Sequence, residues 1–151
     1  MKLLDVNVLV YSFRSDAERH SEYRAWLLGL IRGEAAFGVA EQALAGLVRV
    51  TTHRKIFREP SRLEEALGFV EALLAHPSCR IVRPSAGHWI LFSSLCRRSK
   101  ANGNLVNDAW FAALAIESGC TWVTTDRDFS RFPALRWRHP LDHERDVENP
   151  A

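Results

Sequence analysis

Four aspartates in this sequence stand where chemistry, rather than structure alone, would place them. Asp5 directly follows the apolar run KLL. Asp126 and Asp128 directly follow the apolar run WVTT. Asp108 opens a segment that is apolar nearly all round, from Ala109 and Phe111 through Ile116. Each position has a structural explanation when taken singly, as a turn former, a cap or a partner of a helix dipole. Their joint placement is harder to explain that way. Carboxylates gathered in one crevice repel one another and lose solvation, and a bound divalent cation offsets both. Oxygen donors of this kind suit Mg²⁺ or Mn²⁺. A cation so held can activate water against a phosphodiester. Glu41 belongs with this group on weaker grounds: it heads an apolar stripe with Leu44 and Val48, either capping its helix or pointing into a site.

The elements that must position these side chains follow from hydrophobic periodicity. KLLD over 2–5 reads as a short buried strand, followed by a helical turn through VLVYSF. An amphipathic helix is expected over 17–32, with Tyr23, Trp26, Leu27, Leu30 and Ile31 on one face. AAFGV over 35–39 is a second strand and leads into a helix from about 40 to 52. A helix over 61–76 carries a capping-box pattern, Ser61 with Glu64. RIVRP over 80–84 is a third strand, after which Ser85 is expected to cap a helix reaching about Lys100. The helix over 105–119 ends at Gly119, placed to adopt the left-handed C′ conformation. TWVTT over 121–125 is a fourth strand, and LRWRH over 135–139 a possible edge strand. Short strands alternating with helices imply an α/β fold in three layers, α/β/α, with a central, mostly parallel sheet of four or five strands. Ligands of such folds bind beyond the carboxyl ends of the strands, where strand order switches. Asp5 and Asp126 are both expected there.

The chain has 151 residues, 47% of them hydrophobic. That fits one domain with a sizeable core, expected over 1–140, with a charged tail over 141–151. No apolar run is long enough to span a bilayer, and Asp5 and Asn7 interrupt the N-terminal apolar stretch that a secretory signal would need. Three cysteines without CxxC spacing favour thiols in a reducing cytoplasm over a disulfide framework or zinc site. Of 20 cationic side chains only three are lysine. Arginine can grip phosphate in a bidentate fork, which makes Arg49, Arg54 and Arg127 candidate phosphate contacts, and a GC-rich genome is an equally good reading of the arginine excess. The tryptophans Trp26, Trp89 and Trp110 have helical apolar neighbours and read as core or as an interface between subunits.

Three segments in order, DVNVLVY from Asp5, NDAWFAALAIESG from Asn107 and TTDRDFSRF from Thr124, resemble the PIN domains, and specifically the VapC-type toxins of bacterial toxin–antitoxin pairs. The matching segments, LVRVTTHRKIF among them, span nearly the whole domain to about Pro140. The resemblance implies a Mg²⁺-dependent endoribonuclease acting as a homodimer and neutralised by a small antitoxin protein. The family's metal-holding aspartates fall on Asp5, Asp108 and Asp126, with Asp128 as an additional acidic residue. Asn7 matches the polar residue that supports the first aspartate, and Thr125 the hydroxyl beside the third. One departure concerns the family's second acidic residue, carried in a stretch of the form acidic–Leu–hydrophobic–x–Gly or Arg. Aligned on LVRV, that position falls on Gly46, which cannot be a ligand, and Glu41 is the acidic residue left in this helix. The alternative reading is therefore a PIN fold with weak or no catalytic activity that binds RNA or a partner. A haloacid-dehalogenase-like phosphatase is disfavoured, because its second acid would fall on Asn7.

Overall fold

The computed structural model describes residues 1–142; of the tail expected over 141–151, everything from residue 143 onward lies outside the described residues. Five strands form one sheet: β1 (Lys2–Leu4), β2 (Phe37–Val39), β3 (Cys79–Ile81), β4 (Thr121–Val123) and β5 (Trp137–Arg138). Their order is β3-β2-β1-β4-β5, and every pairing is parallel. Six helices connect them: α1 (Val6–Phe13), α2 (His20–Arg32), α3 (Glu41–Thr51), α4 (Leu63–Leu74), α5 (His88–Ser99) and α6 (Asn104–Glu117). A 3-10 turn, Arg127–Arg131, follows β4.

Side chains alternate across each strand, and the sheet buries both faces. Leu4, Phe37, Val39 and Val123 point to the side covered by α1 to α4, where they meet Val8, Leu9, Leu44, Leu47 and Leu73. Leu3 and Trp122 point to the other side, against Leu95 of α5 and Phe111 and Leu114 of α6. Chain connections leave β1 toward β2 on one side, and return to it through β4 on the other. The switch in strand order therefore falls between β1 and β4, and the register Leu4↔Val123 aligns their carboxyl ends.

Element order agrees with the periodicity of the sequence, and the differences lie at the ends of elements: β2, β3, β4 and β5 are shorter than their apolar runs, and several helices start later. The Ser61–Glu64 capping box does not form: α4 begins at Leu63, and Ser61 instead accepts a hydrogen bond from Arg14 Nη1 at 2.9 Å. Arg14 also lies 4.2 Å from the Phe57 ring centroid and bonds the Glu59 carbonyl, so it competes successfully for this segment. Ser85 stands before α5 and donates to Glu117, while the helix itself starts at His88. Gly103, at φ +53°, starts α6 at Asn104, so Asp108 stands just beyond the first turn rather than within it. Gly119 does adopt the left-handed conformation after α6, at φ +67°. Of the tryptophans, Trp89 is 72% exposed on α5. Trp122, which the apolar periodicity did not single out, is fully buried. No helix among the described residues is long and apolar enough to cross a membrane.

Candidate active site

Asp5 is the N-cap position of α1, in extended conformation, with its backbone N–H bonded to the Val123 carbonyl at 3.0 Å. That bond prolongs the β1–β4 ladder by one residue and places Asp5 beside Thr124. The Thr124 hydroxyl donates to Asp5 Oδ2 at 2.6 Å and accepts from the Asp126 backbone N–H at 3.0 Å. One buried hydroxyl thus orients the first carboxylate and the turn that carries the third. Thr125, expected to supply that hydroxyl, makes no side-chain hydrogen bond among the described residues; the pleat turns Thr124 toward β1 instead. Asp126 in turn caps the 3-10 turn, its Oδ1 accepting from the Asp128 backbone N–H at 2.8 Å. Replacing Thr124 with Val should cut activity about 10–100-fold, the usual effect of losing the group that orients a ligand. Thr125→Ala should stay near wild type, and parallel cleavage assays of the two variants check the assignment.

Asp5, Asn7, Asp108 and Asp126 line one cleft, with Gln42, Gly46 and Arg49 of α3 forming its opposite wall. Asp108, Asp126, Asn107 and Arg49 also line an adjoining lobe that adds Asn104, Asp128 and Arg131. Asp5 is 7% exposed. Burial raises its pKa from 3.8 to about 6, with the charges of Asp108 and Asp126 adding to the rise and the Thr124 hydroxyl opposing it. Asp108 is also raised from 3.8 to about 6, by burial first and then by Asp126 and Asp128. Neither carboxylate has a cationic partner among the described residues to offset this.

Glu41 lies apart from this group. It is exposed at the start of α3 and forms an ion pair with Arg83 Nη2 at 3.0 Å. The cleft-facing residues of α3 are Gln42, Ala45, Gly46 and Arg49, an i, i+3, i+4, i+7 stripe that Glu41 precedes by one position, about 100° around the helix. The Gln42 amide donates to Asn107 Oδ1 at 3.4 Å across the cleft. Gly46 packs closely against a side chain rather than a backbone: a Cβ there would meet Val6 Cγ2 at 3.0 Å. Glu41→Gln should therefore leave cleavage near wild type, measured alongside Gln42→Ala.

Of the candidate RNA contacts, Arg49 lines both lobes. Arg54 stands in the exposed loop after α3 and lines neither. Arg127 lies 3.8 Å from Asp142 Oδ1 and also lines neither. Arg131, which with Arg127 flanks the last acidic motif in the sequence, lines the adjoining lobe.

The donor set is hard oxygen: three carboxylates, with the amides of Asn7, Gln42 and Asn107 beside them. Among the described residues no three acidic, histidine or cysteine side chains close into a finished ligand cage. The oxygen donors themselves fit a cation such as Mg²⁺, which keeps several waters and is held through one or two carboxylates. Two unpaired, charge-strained carboxyl groups beside a third are what such a hydrated cation would relieve.

Residues 2–135 match the family model for the PIN domain, and the chain belongs to that family. Ribonuclease VapC43 of Mycobacterium tuberculosis is 45% identical over 142 residues, which are 94% of this chain and 97% of the relative. Ribonuclease VapC25 of the same organism is 39% identical over 140 residues, 93% of this chain and 99% of the relative. The solved structure of VapBC2 from Rickettsia felis, bound to a DNA fragment from the promoter, shares the fold with a TM-score of 0.67 at 22% identity. That likeness covers 91% of this chain and 97% of the neighbouring one.

Proposed function

We propose that the protein is a Mg²⁺-dependent endoribonuclease, the toxic member of a toxin–antitoxin pair. The observation that carries the proposal is the pairing of Asp5 and Asp108, both with pKa raised to about 6, beside Asp126 in one cleft at the strand switch. The full-length identity to proteins named ribonucleases supports RNA as substrate. The fold neighbour VapBC2 supports an antitoxin protein as partner. The family resemblance adds the expectations of a homodimer working in the cytoplasm.

Asp5, Asp108 and Asp126 would hold the cation, and Mn²⁺ fits the same oxygens. Bound there, it would neutralise charge on the phosphate and make water a competent nucleophile at neutral pH. The chain's own contributions are positional. Thr124 fixes one oxygen of Asp5 and leaves the other unbonded by side chains. The Asp128 backbone N–H fixes one oxygen of Asp126, and the Asp128 carboxylate, exposed at the rim, is placed to orient a water or another ligand. No histidine lines either lobe among the described residues, and a cation held there would lower the pKa of its water so that no separate general base is needed.

Gly46 favours the alternative reading, a PIN fold that binds without cutting, because in the alignment on LVRV a glycine stands where the family stretch has an acid. Cleavage of bulk RNA with Mg²⁺ and with EDTA, comparing the wild type with Asp5→Asn, separates the two. Cation-dependent cleavage by the wild type alone is expected. Equal, cation-independent behaviour of both proteins would reject the nuclease.

A further inference from the structure

We propose that the lobe adjoining the carboxylates is a subsite for a second phosphate of the RNA strand, held by Arg49 and Arg131. This inference rests on the nuclease reading and extends it to the length of substrate the site engages.

The two lobes share Arg49, Asn107, Asp108 and Asp126, so they form one continuous trough. A single scissile phosphate needs only the part beside Asp5. The rest of the trough is polar and carries a cation on each of two walls: Arg49 from the last turn of α3, and Arg131 from the end of the 3-10 turn. Neither arginine is in an ion pair among the described residues, although Asp108, Asp126 and Asp128 line the same lobe. Arg127, by contrast, is drawn toward Asp142, and Arg14 and Arg19 toward Asp16 and Glu22. Arg49 and Arg131 thus keep their guanidinium donors available in a place that would otherwise repel a polyanion. Guanidinium groups from two walls match the oxygens of one phosphate in bidentate fashion. Asn104 and Asn107 add neutral donors between them. The trough then seats two consecutive phosphates, one at the carboxylates and one between the arginines. An internal phosphodiester satisfies both positions.

The test measures binding of a uridine trinucleotide, UpUpU, to the Asp5→Asn protein in Mg²⁺ buffer, by titration calorimetry. Its companions are the same trinucleotide with one or the other linkage replaced by an uncharged methylphosphonate. Neutralising one linkage should weaken binding about tenfold or more, the effect of a lost charge-assisted contact. Adding Arg131→Ala should erase that penalty, and Arg131→Lys should restore part of it. A penalty that persists in Arg131→Ala, no penalty in the parent, or no binding of UpUpU at all overturns the subsite. Cleavage of bulk RNA by the wild type tests the nuclease reading separately, so either idea can fall without the other.

Discussion

Asp5→Asn should abolish RNA cleavage and, in the same protein without metal, raise the melting temperature at pH 7. Loss of activity should exceed about 100-fold, the upper end of what removal of a merely orienting group causes. The stability gain follows from burial. A carboxyl whose pKa rises from 3.8 unfolded to about 6 folded binds its proton more tightly in the native state. Its contribution to stability is therefore greatest below pH 3.8 and is lost as pH rises through about 6. At pH 7 that loss is on the order of 3 kcal/mol. Asparagine removes the charge and keeps an oxygen to accept from Thr124. The gain is offset in part by the new amide N–H groups, which need partners in a buried place. Thermal melts in EDTA should show the variant ahead by several degrees at pH 7, with the advantage shrinking to less than about half by pH 4.5. Mg²⁺ should raise the melting temperature of the wild type more than that of the variant, which keeps Asp108 and Asp126 in the cleft. A variant less stable than the wild type at pH 7 in EDTA would contradict this account of Asp5.

Trp122→Ala should cause the largest loss of stability of any single side-chain truncation here, about 3–5 kcal/mol. That is a large fraction of the roughly 5–15 kcal/mol typical of a whole domain. Trp122 is 0% exposed. Its ring stacks on Phe111 at 5.1 Å and lies 5.5 Å from Phe129. Phe111 stands three residues after Asp108 on α6, and Phe129 three residues after Asp126 in the 3-10 turn. One indole therefore wedges apart the two elements that carry two of the three carboxylates. Trp122 Nε1 is buried without a hydrogen-bond partner among the described residues, so Trp122→Phe gives up apolar volume but no hydrogen bond. Urea denaturation should order the proteins wild type, Phe, then Ala, with a wide gap before Ala. An Ala variant with the midpoint of the wild type would show that the ring is not what sets this spacing.

Much of this arrangement is legible in the sequence, for physical reasons that also explain what is not. Asp5 and Asp126 stand out because a carboxylate at the end of a short apolar run has few other fates in a parallel sheet. Asp108 stands out because the helix behind it is apolar all round. The orienting threonine is not legible from residue type, since Thr124 and Thr125 are chemically identical neighbours. What separates them is the pleat: the register Leu4↔Val123 makes Asp5 and Thr124 the next pair along. Glu41 and Gln42 pose the same problem on a helix. Charge favours Glu41, whereas the stripe through Gly46 and Arg49 favours Gln42, and position on the helix decides which one enters the cleft. The Ser61 capping box fails for a reason no local pattern holds, because its competitor, Arg14, lies 47 residues away in the chain.

The Asp5–Thr124 hydrogen bond joins residues 119 apart in the chain. Contacts this distant form only after the intervening chain exists and has been gathered in, which makes them late events in folding. During synthesis, β1, β2 and β3 with α1 to α4 emerge first, carrying Asp5 but not its hydroxyl partner. The cleft comes into being only when β4 slots in beside β1 and the following turn swings Asp126 into place. A ribosome that stalls before β4, or a protease that severs the chain ahead of it, leaves a fragment with one aspartate of the three or two. In this topology the cleft is completed late, with only β5 among the described elements still to follow the turn that carries Asp126.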